Sequence, residues 1–280
     1  MSKATYSFYN TSLSLGSSNR SYGKENILPQ RIPQRSRFVC SPFDVDPSMN
    51  LLVQPVEKKI WEAVTTLCDN EEHKTDWAVC IDNVRVSMEQ LGSSMKMNGK
   101  VEAWLMNAFC RKLFRDDHPK NTQKHFFFNT TSDYFLEKWK NDDAKNYMKK
   151  KAIESLCGAN KARQLHLSDG LYFPSIYDDH WFIFLVDMKY RNTIFLDSWY
   201  GKDSTHHKKI SSLMIKNFRT SWNDAGLKKV SFENFGIAYP NIPKQKPGND
   251  CGIFCMKYMG LFIPRNPAQC AFSYVDIPMF

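Results

Sequence analysis

Along this chain the spacing of apolar residues is helical first, then strand-like, then helical again. Between residues 58 and 68, Ile60, Trp61, Ala63, Val64 and Leu67 recur with the period of a helix that buries one face. Residues 101–114 carry a stronger stripe, with Val101, Trp104, Leu105, Ala108, Phe109 and Leu113 on one side. Residues 134–157 predict a longer, lysine-rich helix anchored by Tyr134, Phe135, Trp139, Tyr147, Ile153 and Leu156.

From Gly170 the residues become β-favouring. Gly170–Tyr177 reads as a strand and turn, and His180–Asp187 is nearly all apolar, as a central strand buried on both faces must be. Residues 188–192 are polar enough to turn the chain, so 193–197 predicts an antiparallel partner. Residues 210–222 have helical amphipathic spacing through Ile210, Leu213, Met214, Phe218 and Trp222. A further strand is expected over 230–235, and 252–263 is apolar enough for a buried helix. Helices, a compact group of strands and a closing buried helix predict an α+β domain.

Composition adds boundaries. Residues 1–50, and most clearly the first 40, are rich in Ser, Asn and Arg, reach their first acidic residue at Glu25 and show no sustained period. They predict a flexible basic extension, with an organelle transit peptide as the alternative. The remainder, 51–280, predicts one domain with its core over about 95–263; 42% hydrophobic and 14% aromatic content is too high for a disordered chain. A formal net charge of +9 attracts acidic partners, whether nucleic acid, an acidic protein face or a membrane surface. The eight cysteines form no Cys-x-x-Cys pair, which argues against a zinc ribbon or a redox dithiol and suits free thiols in a reducing intracellular compartment. No apolar run approaches the roughly 18 residues of a membrane span, and the N-terminus lacks a secretory h-region.

Four residues stand where thiol chemistry wants them. Cys251 follows the polar, turn-rich stretch 245–250 and opens an apolar helix, and a helix N-terminus favours thiolate. Its free backbone N–H groups can also meet a developing oxyanion, and Gly252 lets substrate backbone approach. His180 opens the most apolar strand, and Asp197 closes the neighbouring one on the far side of the turn, so the two side chains can meet. A carboxylate on the far imidazole nitrogen fixes the tautomer and stabilises the imidazolium. Gln245 offers a neutral donor for an oxyanion hole. Singly, each has a plainer reading: an inert buried thiol, a polar strand cap, a strand-ending aspartate, a loop amide. Together, Cys251, His180 and Asp197 make a nucleophile, its base and the base's orienter.

The order His180-Trp181, Asp197-Ser198, Gln245, Asp250-Cys251-Gly252, with Ile253-Phe254-Cys255-Met256 following, resembles the SUMO-protease family of ubiquitin-like-protein-specific cysteine proteases. The resemblance is firm over about 165–263 and reaches back to about 95, with His125-Phe126-Phe127-Phe128-Asn129 a weaker match. It implies a papain-like α+β fold, with a helical N-terminal part packed on a small mixed or antiparallel sheet and the nucleophile at the start of a buried helix. It also implies cleavage after the C-terminal Gly-Gly of a modifier, SUMO foremost, without metal or organic cofactor. Cys251 would be the nucleophile, His180 base and acid, Asp197 its orienter and Gln245 the oxyanion donor. Trp181 would cover the channel that admits the diglycine tail, and a nuclear address follows by the same analogy. The chain departs from the family at Pro247, lacks the upstream Trp-Leu-Asn-Asp segment, and ends at Phe280 where relatives continue, which predicts a shortened domain.

Other readings compete. A protein with this fold could bind a modifier without cutting it, and the basic extension could serve a nucleic-acid-associated factor. His206-His207 finds no further metal ligand at suitable spacing and reads as a solvated loop; Lys149, Lys150 and Lys151 read as a solvated helix face, and Cys255 as a buried thiol.

Overall fold

The computed structural model describes residues 55–96, 99–265, 270 and 272; the extension expected over 1–50 lies outside them. Helix α1 (Pro55–Cys68) leads to an antiparallel hairpin of β1 (Trp77–Ile81) and β2 (Val84–Ser87), then to α2 (Met88–Met95), α3 (Ala103–Asp116) and the single turn α4 (Pro119–Thr122). There follow β3 (Lys124–Phe126), α5 (Asn129–Phe135), α6 (Asp142–Ala162), β4 (Gly170–Tyr177), β5 (His180–Asp187) and β6 (Asn192–Leu196). Helix α7 (Thr205–Asp224), β7 (Gly236–Ala238) and α8 (Cys251–Leu261) complete the order.

The larger sheet runs β3-β4-β5-β6-β7. Its three inner strands are antiparallel, whereas β3 and β7 join the edges in parallel. Parallel neighbours need crossover connections: α5 and α6 carry the chain from β3 to β4, and α7 carries it from β6 to β7. All eight residues of β5 are buried. Alternate side chains serve different cores, with Trp181, Ile183 and Leu185 packing towards α3 and α8. Phe182, Phe184 and Val186 pack towards α5, α6 and α7. Each such side chain contributes about 1.5–3 kcal/mol by leaving water.

Several expected elements shift for identifiable reasons. The stripe assigned to α3 is broader than expected: Met106 and Cys110 join Val101, Ala108 and Leu113 in the core, while Trp104 is 53% exposed. This helix lies between the β1–β2 hairpin, which takes Ala108, and α8, so its buried arc is wide and includes a polar residue. That residue, Asn107, accepts the backbone N–H of Asn129 at the start of α5. The single helix expected over 134–157 is two, α5 and α6. Glu137 takes a left-handed φ of 57°, and the Asn141 side chain caps the second helix by accepting Ala144 N. Tyr147, expected as an anchor, is exposed. The strand expected over 230–235 is a tight turn over Phe232–Asn234, whose three-residue period turns both Phe232 and Phe235 inward. The real edge strand is β7.

Phe184 has no exposed surface and meets Phe135, Phe173, Phe195 and Phe218. Replacing it with alanine should cost about 3–5 kcal/mol, read as a lowered urea midpoint.

Candidate active site

The side-chain parity of the inner strands brings the first pair together. His180 shares the face of Phe182 and Phe184, and Asp197, just past β6, shares the face of Phe195. His180 Nε2 lies 2.8 Å from Asp197 Oδ1. That oxygen also accepts the backbone N–H groups of Trp199 (2.7 Å) and Tyr200 (2.8 Å), so the chain after β6 wraps around the carboxylate. The Lys244 ammonium donates to the Asp197 carbonyl oxygen at 2.6 Å and to that of Tyr200 at 3.1 Å.

Electrostatics follow from these contacts. Burial alone pulls the His180 imidazole down, but hydrogen bonds to Asp197 and Cys251, with their charges, outweigh it and hold the pKa up to about 9. Burial pushes the Asp197 carboxyl up, yet the His180 and His207 contacts and the Trp199 N–H outweigh it and hold it well below the usual carboxylate range.

Cys251 is the first residue of α8 and is buried, and its thiol is one of the groups that hold the His180 pKa up. Because Nε2 is engaged by Asp197, Nδ1 is the nitrogen turned towards the thiol. The first turn of α8 leaves backbone N–H groups without intrahelical acceptors, as every helix start does. Gln245 is tied into the loop that leads to Cys251. Its backbone N–H donates to Ser198 O at 3.0 Å, its Oε1 accepts the Ser198 hydroxyl, and its Nε2 donates to Gly248 O at 3.1 Å. A primary amide has two hydrogens, so one remains beyond the Gly248 bond.

Gly252 lies in a close packing contact. A Cβ built there would sit 2.4 Å from Val101 Cβ and 3.2 Å from Trp181 Cδ1, so the bare Cα makes room for Val101. Trp181 is itself buried, and its indole N–H donates to Val101 O at 2.9 Å. Val101, just ahead of α3, therefore lies across the start of α8, while Trp104 stands apart at the surface.

The pair His206-His207 is not a solvated loop. Both are buried in the first turn of α7, and His207 Nε2 lies 3.0 Å from Asp197 Oδ2. The clue was the α7 stripe: continuing Met214 and Ile210 backwards by three or four residues reaches this pair. Elsewhere, Lys149 pairs with Asp224 and Lys151 with Glu154 on the surface of α6, and Cys255 is wholly buried. Among the described residues, no three His, Cys, Asp or Glu side chains are grouped to hold a metal ion.

Comparison with known proteins gives the family and the fold. The profile of the Ulp1 protease family, C-terminal catalytic domain, matches residues 96–278. The ubiquitin-like-specific protease ESD4 of Arabidopsis thaliana is 27% identical over 243 residues, covering 80% of this chain and 47% of that protein. Ubiquitin-like-specific protease 1A of the same plant is 25% identical over 243 residues, covering 81% of this chain and 46% of that protein. The chain thus spans about half the length of these relatives. The C-terminal Ulp1 protease domain in complex with Smt3, the yeast ortholog of SUMO, is similar with a TM-score of 0.56 and 16% identity over 79% of this chain and 89% of that one. SUMO protease Ulp1 with its catalytic cysteine oxidised to a sulfinic acid gives the same TM-score at 15% identity, with 79% and 89% covered. At such identities the likeness is one of fold, and it is the α+β fold expected.

Two tests follow. Gly252→Ala should destabilise the domain by about 1–3 kcal/mol through overpacking, and adding Val101→Gly, which removes the Cβ it would meet, should recover part of the loss in urea unfolding. The His180 contribution to stability, with its pKa raised from 6.5 to about 9, is present in full below about 6.5, declines as pH rises and is gone above about 9. The urea midpoint should therefore fall between pH 6.5 and 9, and Asp197→Asn should flatten that fall.

Proposed function

Because the chain belongs to the Ulp1 protease family, matching its C-terminal catalytic domain, we propose that it is a cysteine protease and isopeptidase cleaving after the C-terminal Gly-Gly of SUMO or a related ubiquitin-like modifier. The observation that carries this reading is the line of groups from Asp197 Oδ1 through the His180 ring to the thiol at the start of α8. In this reaction the thiol proton passes to Nδ1 of His180, and the sulfur attacks the carbonyl carbon of the terminal glycine. The tetrahedral oxyanion is met by backbone N–H at the α8 N-terminus and by the second amide hydrogen of Gln245. As the carbon–nitrogen bond breaks, His180 returns its proton to the departing lysine amine, leaving a thioester. Water, deprotonated by His180, then attacks the thioester, releases the carboxylate and restores the thiol. Asp197 stays ionised throughout and keeps the ring oriented.

The preference for a Gly-Gly tail belongs to the same reading, in which Trp181 would cover the channel that admits the tail. The net positive charge of the chain, +9, supports steering of a modifier through its acidic face.

The decisive experiment presents C-termini of SUMO, ubiquitin and one further modifier, each carrying a thiol-reactive electrophile, to wild type and to Cys251→Ala. A covalent adduct with at least one modifier, seen by intact mass and absent from the mutant, is expected. No adduct with any of them from folded protein would overturn the protease reading.

A further inference from the structure

The reaction above uses one oxygen of Asp197. Oδ1 receives His180, Trp199 N and Tyr200 N, whereas Oδ2 is closed off from solvent and faces His207 Nε2 at 3.0 Å. His207 has no exposed surface. Its ring sits in a box of Phe182 from β5, Phe195 from β6, Tyr239 after β7 and the adjacent His206, with centroids 5.1 to 5.9 Å away. Neither ring nitrogen has an aligned hydrogen-bond partner in the protein. A buried polar ring so placed costs stability, and an apolar ring would fill the same box without that cost. Its chemistry is directed at the one charged group it touches. An ionised carboxylate can only accept, so the nitrogen facing Oδ2 carries the proton.

We propose that His207 is a positioning residue: the polar edge of its ring, set 3.0 Å from the otherwise unpaired Oδ2 of Asp197, helps the buried carboxylate keep its charge and stay aligned on His180. The role in turnover rests on the protease function proposed above. His206 complements it from the other side. It stacks on Tyr200 at 4.2 Å and meets His180 edge-on at 5.7 Å. Burial brings its pKa down to about 4, so it adds no second cation beside the imidazolium. The titratable and charged groups around this centre are His180 and Asp197 from the strands, His206 from the same helix and Tyr200 from the β6–α7 loop. Tyr239 and Lys244 face it from the segment after β7, with Tyr177 and Asp178 beyond His206. Among them, His207 is the group placed on Oδ2. Its N–H dipole tempers the field that the carboxylate exerts on His180, so without it the imidazolium persists to higher pH.

The test compares His207→Phe, which fills the box without a donor, with His207→Gln, which keeps an N–H but cannot titrate. Turnover of a fluorogenic modifier C-terminus is measured alongside the pH dependence of Cys251 alkylation by iodoacetamide, quantified on the Cys251 peptide. In His207→Phe, kcat should fall roughly tenfold or more with KM nearly unchanged, the size of effect expected when acid–base machinery is misaligned. The alkaline limb of Cys251 alkylation should move upward in the same variant, and His207→Gln should restore most of both. A folded His207→Phe with wild-type kcat and an unchanged alkylation profile would show that His207 only fills space. Should His207→Phe not fold, His207→Asn, whose amide falls short of Oδ2, takes its place against His207→Gln. Alkylation needs no modifier, so a wild type that cleaves none would overturn the proposed function while the profile still decides the role of His207.

Discussion

A single buried negative charge organises this molecule. Asp197 is 2% exposed, and an ionised carboxylate taken out of water costs several kcal/mol unless donors and positive charge surround it. Here the compensating groups come from separate elements: the His180 ring from β5, two backbone N–H groups from the chain leaving β6, and the His207 ring from the first turn of α7. Lys244 binds the backbone carbonyl of the same residue, and Ser198 next to it holds Gln245. Satisfying one carboxylate thus ties down the sheet end, a helix start and the loop before Cys251. The geometry that stabilises the charge is also the geometry that aims His180 at Cys251.

The two faces of the sheet explain how the site is assembled. His180 and Asp197 belong by parity to the face covered by α7, whereas Cys251 arrives on α8, which covers the opposite face with Trp181, Ile183 and Leu185. The thiol and the imidazole can meet only at the strand ends, where the two layers reach past the sheet. That places Cys251 at the first residue of its helix rather than deeper in it. A position within α8 would lie among Phe254, Cys255 and Tyr258, all sealed in the core.

Much of this was legible from the chain because some segments obey only one constraint. β5 is apolar on both faces, so its length and central place follow from composition, and the Cys-His-Asp-Gln set is chemically specific as a group. Segments serving two neighbours were harder to read. Helix α3 packs against both α8 and the hairpin, which broadens its stripe and hides that Trp104 falls outside it. The division between α5 and α6 was written in Asn141-Asp142-Asp143, a cap followed by acids, but the apolar anchors on either side masked it. His206 and His207 look like surface residues because nothing in a polar hexapeptide says that Asp197 will fold back beneath it.

The part of the site least visible in sequence is the role of the helical N-terminal region. Trp181 donates to the carbonyl of Val101, and Val101 presses on Gly252, so the approach to α3 is fastened to the start of α8 from both sides. α3 is in turn held by α8 along its length, where Cys110 meets Met259, and by the hairpin through Ala108. A shift of the hairpin or of α3 therefore reaches the backbone beside Cys251 through close-packed atoms, because packed cores transmit displacement rather than absorb it. The approach to α3 is in this sense a wall of the candidate site, and Gly252, next to Cys251, is where that wall comes close.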